Sequence, residues 1–191
     1  MEHQEIKTMN TRTLFTLILC SFLSFQSFSQ REITREAYIR FFSSTSVEDI
    51  EAVSNQASSV IDKSNGSLAF QVLMRSFTFE KALMQEHFNE NYVESDQFPM
   101  ATFRGSFVSP EDIDFDTDGS YSAQVSGTFE VHGVSQQREI PVSVIVQNGV
   151  VRLESTFKVK PADHNIAIPS VVRDKIAREV EVTVKAQYQP L

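Results

Sequence analysis

The chain has 191 residues, of which 41% are hydrophobic and 22% charged, and a formal net charge of −8 at pH 7. That length suits one domain with a real core, and an acidic chain without a basic stripe argues against nucleic acid and against adhesion to an anionic membrane by charge. The aromatics are skewed to 16 Phe and 4 Tyr with no Trp. Large apolar area therefore comes with few polar tips to satisfy, which suits either a packed Phe core or a dry lipid cavity.

Residues 1–29 read as a secretory signal peptide. Lys7 and Arg12 precede an apolar stretch from Leu14 to Phe25, and Ser27-Phe28-Ser29 is a small-x-small cleavage site. The apolar run is too short for a stable membrane span. Translation can start at Met1 or at Met9, whose Met9-Asn10-Thr11-Arg12 makes the more typical n-region. Cys20 follows Leu19 rather than a small residue, which argues against lipoprotein processing. The expected product is a secreted or periplasmic chain from about Gln30, spanning 30–191 and lacking cysteine, so disulfides cannot hold it.

In the folded part, Ala37–Phe42 predicts a first strand with Ile39 and Phe41 facing inward. Residues 47–65 read less clearly: Val47–Ala52 fits a strand or a helical turn, and Ser54–Ser59 is small and polar. Ser64-Asn65-Gly66 signals a turn, which also accounts for the glycosylation-like Asn65-Gly66-Ser67. Leu68, Phe70, Val72 and Met74 then alternate onto one face. Residues 80–88 have helix-forming composition, with Thr78 as the expected N-cap and Leu83, Met84 and Phe88 on an apolar edge. After a polar turn at 94–97, Pro99 opens a strand with Phe103, Gly105 and Phe107 inward.

The second half is the clearest antiparallel sheet. Tyr121, Ala123, Val125, Gly127, Phe129 and Val131 share a face, and His132-Gly133-Val134-Ser135 turns the chain. Ile140, Val142, Val144 and Val146 form the next inward row, and Asn148-Gly149 marks a hairpin. Val151, Leu153, Ser155, Phe157 and Val159 follow, then an irregular stretch from Pro161 to Ser170. Val180, Val182, Val184, Ala186 and Tyr188 make the last strand. Such runs joined by tight turns predict a mainly β antiparallel barrel or sandwich.

Little in the sequence supports chemistry. His87, His132 and His164 have no close ligand spacing, so no metal site is expected. Asp112, Asp114, Asp116 and Asp118 fail the calcium-loop frame, because Gly119 is eighth from Asp112 where the sixth is required. There is no Gly-x-Ser-x-Gly elbow, phosphate loop or dinucleotide fingerprint, so neither a catalytic residue nor a cofactor is expected.

Two segments carry a resemblance. His87-Phe88, a spacer, and Phe98-Pro99-Met100-Ala101-Thr102-Phe103 are similar to the signature of the YceI-like family. Gly127-Thr128-Phe129-Glu130-Val131-His132-Gly133-Val134 resembles its second recurrent segment, a strand entering a His-Gly-Val turn. The resemblance implies a single lipocalin-like β-barrel with a short helix near one mouth. It also implies an extracytoplasmic protein that carries or sequesters a polyisoprenoid, an isoprenoid quinone or a similar amphiphilic lipid, without enzyme activity. The lumen expected from the inward rows and the helix comprises Phe70, Val72, Met74, Phe79, Met84, Phe88, Phe103, Gly105, Phe107, Val125, Gly127, Phe129, Val131 and Phe157. Gly105, Ala123, Gly127 and Ser155 are small residues beside which a slender chain could run; alternatively, the glycines relieve sheet curvature. Residues 43–66 depart from the family's usual Gly- and Phe-containing strands. A homodimer stays open. The alternatives are a secreted barrel with a filled core acting through its surface on another protein, and a hydrolase with an unrecognised site.

Overall fold

Alternation of apolar and polar residues gives each strand one face to bury, and in this chain the buried faces close on themselves. The computed structural model describes residues 30–191, so the expected signal peptide and Cys20 lie outside the described residues. The elements are β1 (Arg31–Ser44), β2 (Asp49–Asp62), β3 (Ser67–Leu73), β4 (Thr78–Phe79), α1 (Ala82–His87), β5 (Met100–Phe107), β6 (Gly119–Val131), β7 (Val134–Gln147), β8 (Val150–Val159), β9 (Val180–Gln187) and β10 (Gln189–Pro190). All neighbouring strands pair antiparallel, and β1 pairs with both β2 and β9, so eight strands form a closed barrel. Closure leaves no long unpaired edge, the standing hazard of a β-rich chain. β4 and β10 are short additions, on β2 and β1 respectively.

The turns follow the local chemistry. Asn148 and Gly149 adopt φ of 51° and 74°, the two positive values that a tight hairpin matching strand twist requires. At the other predicted turn, the Asn65 side chain accepts a hydrogen bond from the Ser67 amide (2.9 Å).

Four local expectations change. The first strand is much longer than Ala37–Phe42, and residues 49–62 form one long strand, β2. Its small polar residues face inward because distant hydroxyls satisfy them. Ser59 shares a hydrogen bond with the Tyr188 hydroxyl (2.7 Å), and Ser54 with that of Ser76 (2.7 Å), so burial leaves no orphaned group to penalise. The helix begins at Ala82 rather than residue 80. Thr78 does not cap it: Thr78 pairs with Val53 in β4, and Lys81 occupies the N-cap position without a side-chain capping bond. Residues 88–92 continue α1 as a wide turn, in which the Val93 amide donates to the Phe88 carbonyl (2.9 Å).

One end of the barrel is filled. Ala37, Ala57, Ile61, Val144, Val151 and Tyr188 are all buried there. Phe107 meets Phe115 of the 108–118 loop with ring centroids 6.2 Å apart. Glu32 accepts a hydrogen bond from Lys63 (2.7 Å), and Asp62 accepts one from Arg31 (2.9 Å), across the strand ends. Burial raises the pKa of Tyr188, the negative charge of Glu32 adds to this, and the Ser59 hydrogen bond opposes it.

Candidate functional site

The other end of the barrel is hollow. A cavity of about 560 Å³ runs from a floor of Leu68, Val125, Ile140, Val142 and Leu153 to a mouth framed by the β1–β2 turn, α1 and the 161–176 segment. Its size falls within the range of small-ligand pockets. The walls are apolar. Phe70, Val72, Met74, Phe103, Phe129, Val131 and Phe157 line the shaft, while Phe79, Met84 and Phe88 line the outer end. Phe70, Phe129 and Phe157 are only partly buried; they lie on the inward face, so the surface they expose is turned to this space.

Phe88 is an anchor as well as a wall. Its ring lies 5.2 Å from that of Phe41, 5.1 Å from Phe79 and 6.0 Å from Phe77. Aromatic pairs at such spacings attract beyond their area burial, so α1 is pinned to the rim.

Three residues expected in the lumen, Gly105, Phe107 and Gly127, are not part of the cavity wall. Phe107 belongs to the filled end. Gly105 and Gly127 face each other across β5 and β6. A Cβ on Gly127 would lie 2.3 Å from the Arg104 carbonyl oxygen and 2.5 Å from the Gly105 Cα, and one on Gly105 would lie 2.2 Å from the Ser126 oxygen. These glycines let two backbones approach closely, which is the curvature alternative rather than a channel for ligand. Ala123 is likewise absent from the wall. Ser155 is present, with its hydroxyl donating to the Pro141 carbonyl (2.7 Å).

The two segments that carried the resemblance meet at the rim. The Phe98 ring stands edge-on to His132 at 4.4 Å. A side chain on Gly133, where φ is +69°, would collide with Phe98 at 2.7 Å. His132 donates through Nδ1 to the His164 carbonyl (3.0 Å), and its Nε2 lies 2.8 Å from the Glu94 carboxylate. The β6–β7 turn thereby ties the segment after α1 to the 161–164 turn. Among the described residues, no group of three or more His, Cys, Asp or Glu is arranged to hold a metal ion. In the acidic loop, Asp114 accepts from the Asp116 amide (2.9 Å) and Asp118 from the Asn148 amide (2.8 Å), so these carboxylates serve turns.

The sequence reading missed the charged part of the wall. Glu48 accepts a hydrogen bond from Lys81 (3.0 Å), and Lys175 lies 3.9 Å from its other oxygen. All three side chains border the cavity. Charges on turns have no periodicity to reveal them, and these three lie far apart in the chain. Val47, Leu83 and Val171, all strongly exposed, stand on the same three segments.

The family model for the YceI-like domain matches residues 28–188. Among solved structures, a polyisoprenoid binding domain from Saccharophagus degradans superimposes with a TM-score of 0.74 at 14% identity, covering 85% of this chain and 99% of that one. BcnA from Burkholderia cenocepacia gives a TM-score of 0.66 at 14% identity, covering 80% and 96%. A Campylobacter jejuni YCEI protein gives 0.51 at 14% identity, covering 66% and 75%. At such identities the likeness is one of fold. No curated protein matches the sequence.

Proposed function

The chain belongs to the YceI-like family, and on that premise we propose that it binds an amphiphilic, isoprenoid-type lipid in the barrel, outside the cytoplasm, as a carrier or sequestering protein. The observation that carries this reading is the apolar cavity of about 560 Å³ open at one end. At about 30 Å³ for each water-sized group, that space holds on the order of twenty methylene-sized units. Transferring about twenty of them from water gains roughly 16 kcal/mol gross, and immobilisation costs of about 8 kcal/mol reduce this to an affinity of micromolar order. The structural likeness to a protein described as a polyisoprenoid binding domain agrees with a long, slender ligand.

The chain acts on this reading as a binding protein, since most of the wall presents hydrocarbon. The exposed Val47, Leu83 and Val171 beside the mouth suit brief contact with an apolar donor or acceptor surface during transfer. Export follows from the layout of residues 1–29.

One measurement tests both parts. Native mass spectrometry of the protein purified from its own envelope fraction, followed by solvent extraction, should show a chain starting near Gln30 with an isoprenoid-type mass bound. A barrel that arrives empty and fails to take up a fluorescent isoprenoid analogue would overturn the lipid reading. An intact residue 1–29 segment would overturn export.

A further inference from the structure

We propose that the ligand carries an anionic head group, a phosphate or a carboxylate, seated at the mouth between Lys81 and Lys175. This inference rests on the lipid reading above and adds the chemistry of the polar end.

The placement of charge carries it. Among the described residues that line the cavity, the charged side chains are Glu48, Lys81 and Lys175, and all three converge at one point. On the cavity side two ammonium groups face one carboxylate, while Asp49, Glu51 and Glu80 border a separate groove on the other side of Lys81. Both lysines thus border the mouth, where the polar end of a buried chain would emerge. A hydroxyl or quinone head needs no such arrangement, because water at an open mouth satisfies it.

Geometry adds to this. Lys81 makes a hydrogen bond to Glu48 at 3.0 Å, but Lys175 approaches only to 3.9 Å, beyond hydrogen-bond length. An ammonium has three donors, so Lys175 retains capacity for an incoming oxyanion. Glu48 is held in place from behind. The Thr45 hydroxyl accepts from the amides of Val47 (3.2 Å) and Glu48 (3.1 Å). The carboxylate thus brings together two lysines from separate segments, α1's leading end and the 170–176 stretch. A phosphate or carboxylate that joined them would meet both as charge-assisted donors.

The test compares three probes of one chain length: geranylgeraniol, its monophosphate and geranylgeranoic acid. Their affinities are measured by competition with a fluorescent isoprenoid analogue. The wild-type protein should bind at least one anion about tenfold tighter than the alcohol, a difference of one decade in Kd. The anion that binds tighter identifies phosphate or carboxylate as the head group. In Lys81→Gln/Lys175→Gln the anion-to-alcohol ratio should fall to near one. Raising salt from about 0.05 M to about 0.5 M should shrink the wild-type ratio, because exposed charges are screened. Equal affinity of the wild type for the alcohol and both anions would overturn the head-group proposal alone, as would a ratio that survives in the double variant. Binding of none of the three would overturn the lipid reading with it.

Discussion

The two ends of the barrel are built from the same inward alternation, yet one is solid and the other hollow. At the filled end, short turns at 63–66 and 148–149 bring the strands together, Tyr188 fills the centre, and the 108–118 loop folds Ile113 and Phe115 inward. At the mouth, the excursions 80–98 and 160–179 lie along the rim instead of filling the shaft. Strand patterning therefore makes the wall, while the connections decide whether the space inside is occupied. Half-burial of Phe70, Phe129 and Phe157 has the same cause: their rings meet a void rather than a facing layer.

The largest effect should separate the two ends directly. Phe107→Ala, at a site 3% exposed, should cost about 3–5 kcal/mol in urea unfolding. Phe157→Ala, beside an existing cavity, should cost about 1–2 kcal/mol, because part of its area is already uncovered. Equal costs for the pair would mean the mouth end is packed as tightly as the other.

A middle-sized effect sharpens the boundary between wall and sheet. Gly127→Ala should destabilise by about 1–3 kcal/mol, since its methyl must push β6 from the Arg104 carbonyl. Ligand stoichiometry, read by native mass spectrometry, should stay unchanged. Lost stoichiometry at full stability would return Gly127 to the channel wall.

The smallest effect belongs to the filled end alone. Tyr188→Phe removes a buried hydrogen bond to Ser59 and should cost about 1 kcal/mol near neutrality. Because folding raises the Tyr188 pKa, chiefly through burial, its contribution is full below the unfolded value of about 10. It is lost progressively as pH rises from there towards the raised folded value. Thermal scans at pH 8 and pH 11 should therefore show a steeper alkaline decline in the wild type than in the variant. Parallel declines would show that the phenol is solvated.

Where apolar residues alternate without interruption, as in β6 through β9, the sequence shows both strand and inward face. β2 resists reading because Ser54 and Ser59 occupy inward positions that ordinarily demand hydrocarbon. Their partners, Ser76 and Tyr188, lie 22 and 129 residues away, beyond any local pattern. The cavity wall was legible to the extent that strand parity determines it, as with Phe70, Val72, Phe103 and Phe129. Gly105 and Gly127 share that parity but have no side chain to project, so their role depends on the distance between two backbones. Glu48, Lys81 and Lys175 meet only through three-dimensional closure of the mouth.

That closure also sets an order of assembly. β1 contacts β9 through pairs such as Tyr38↔Lys185 and Ile39↔Val184, so a strand near the start of the folded part must wait for one near the end. Until β9 docks, both β1 and β8 present bare edges able to recruit another chain. Pairings so distant in sequence also make folding slow, since loop entropy is lost before contacts compensate it. A growing or partly unfolded chain is most prone to aggregate in this interval. The eight residues of Val180–Gln187 remove both exposed edges in one step. Truncation before Val180 should thus yield an associating chain rather than a smaller soluble barrel.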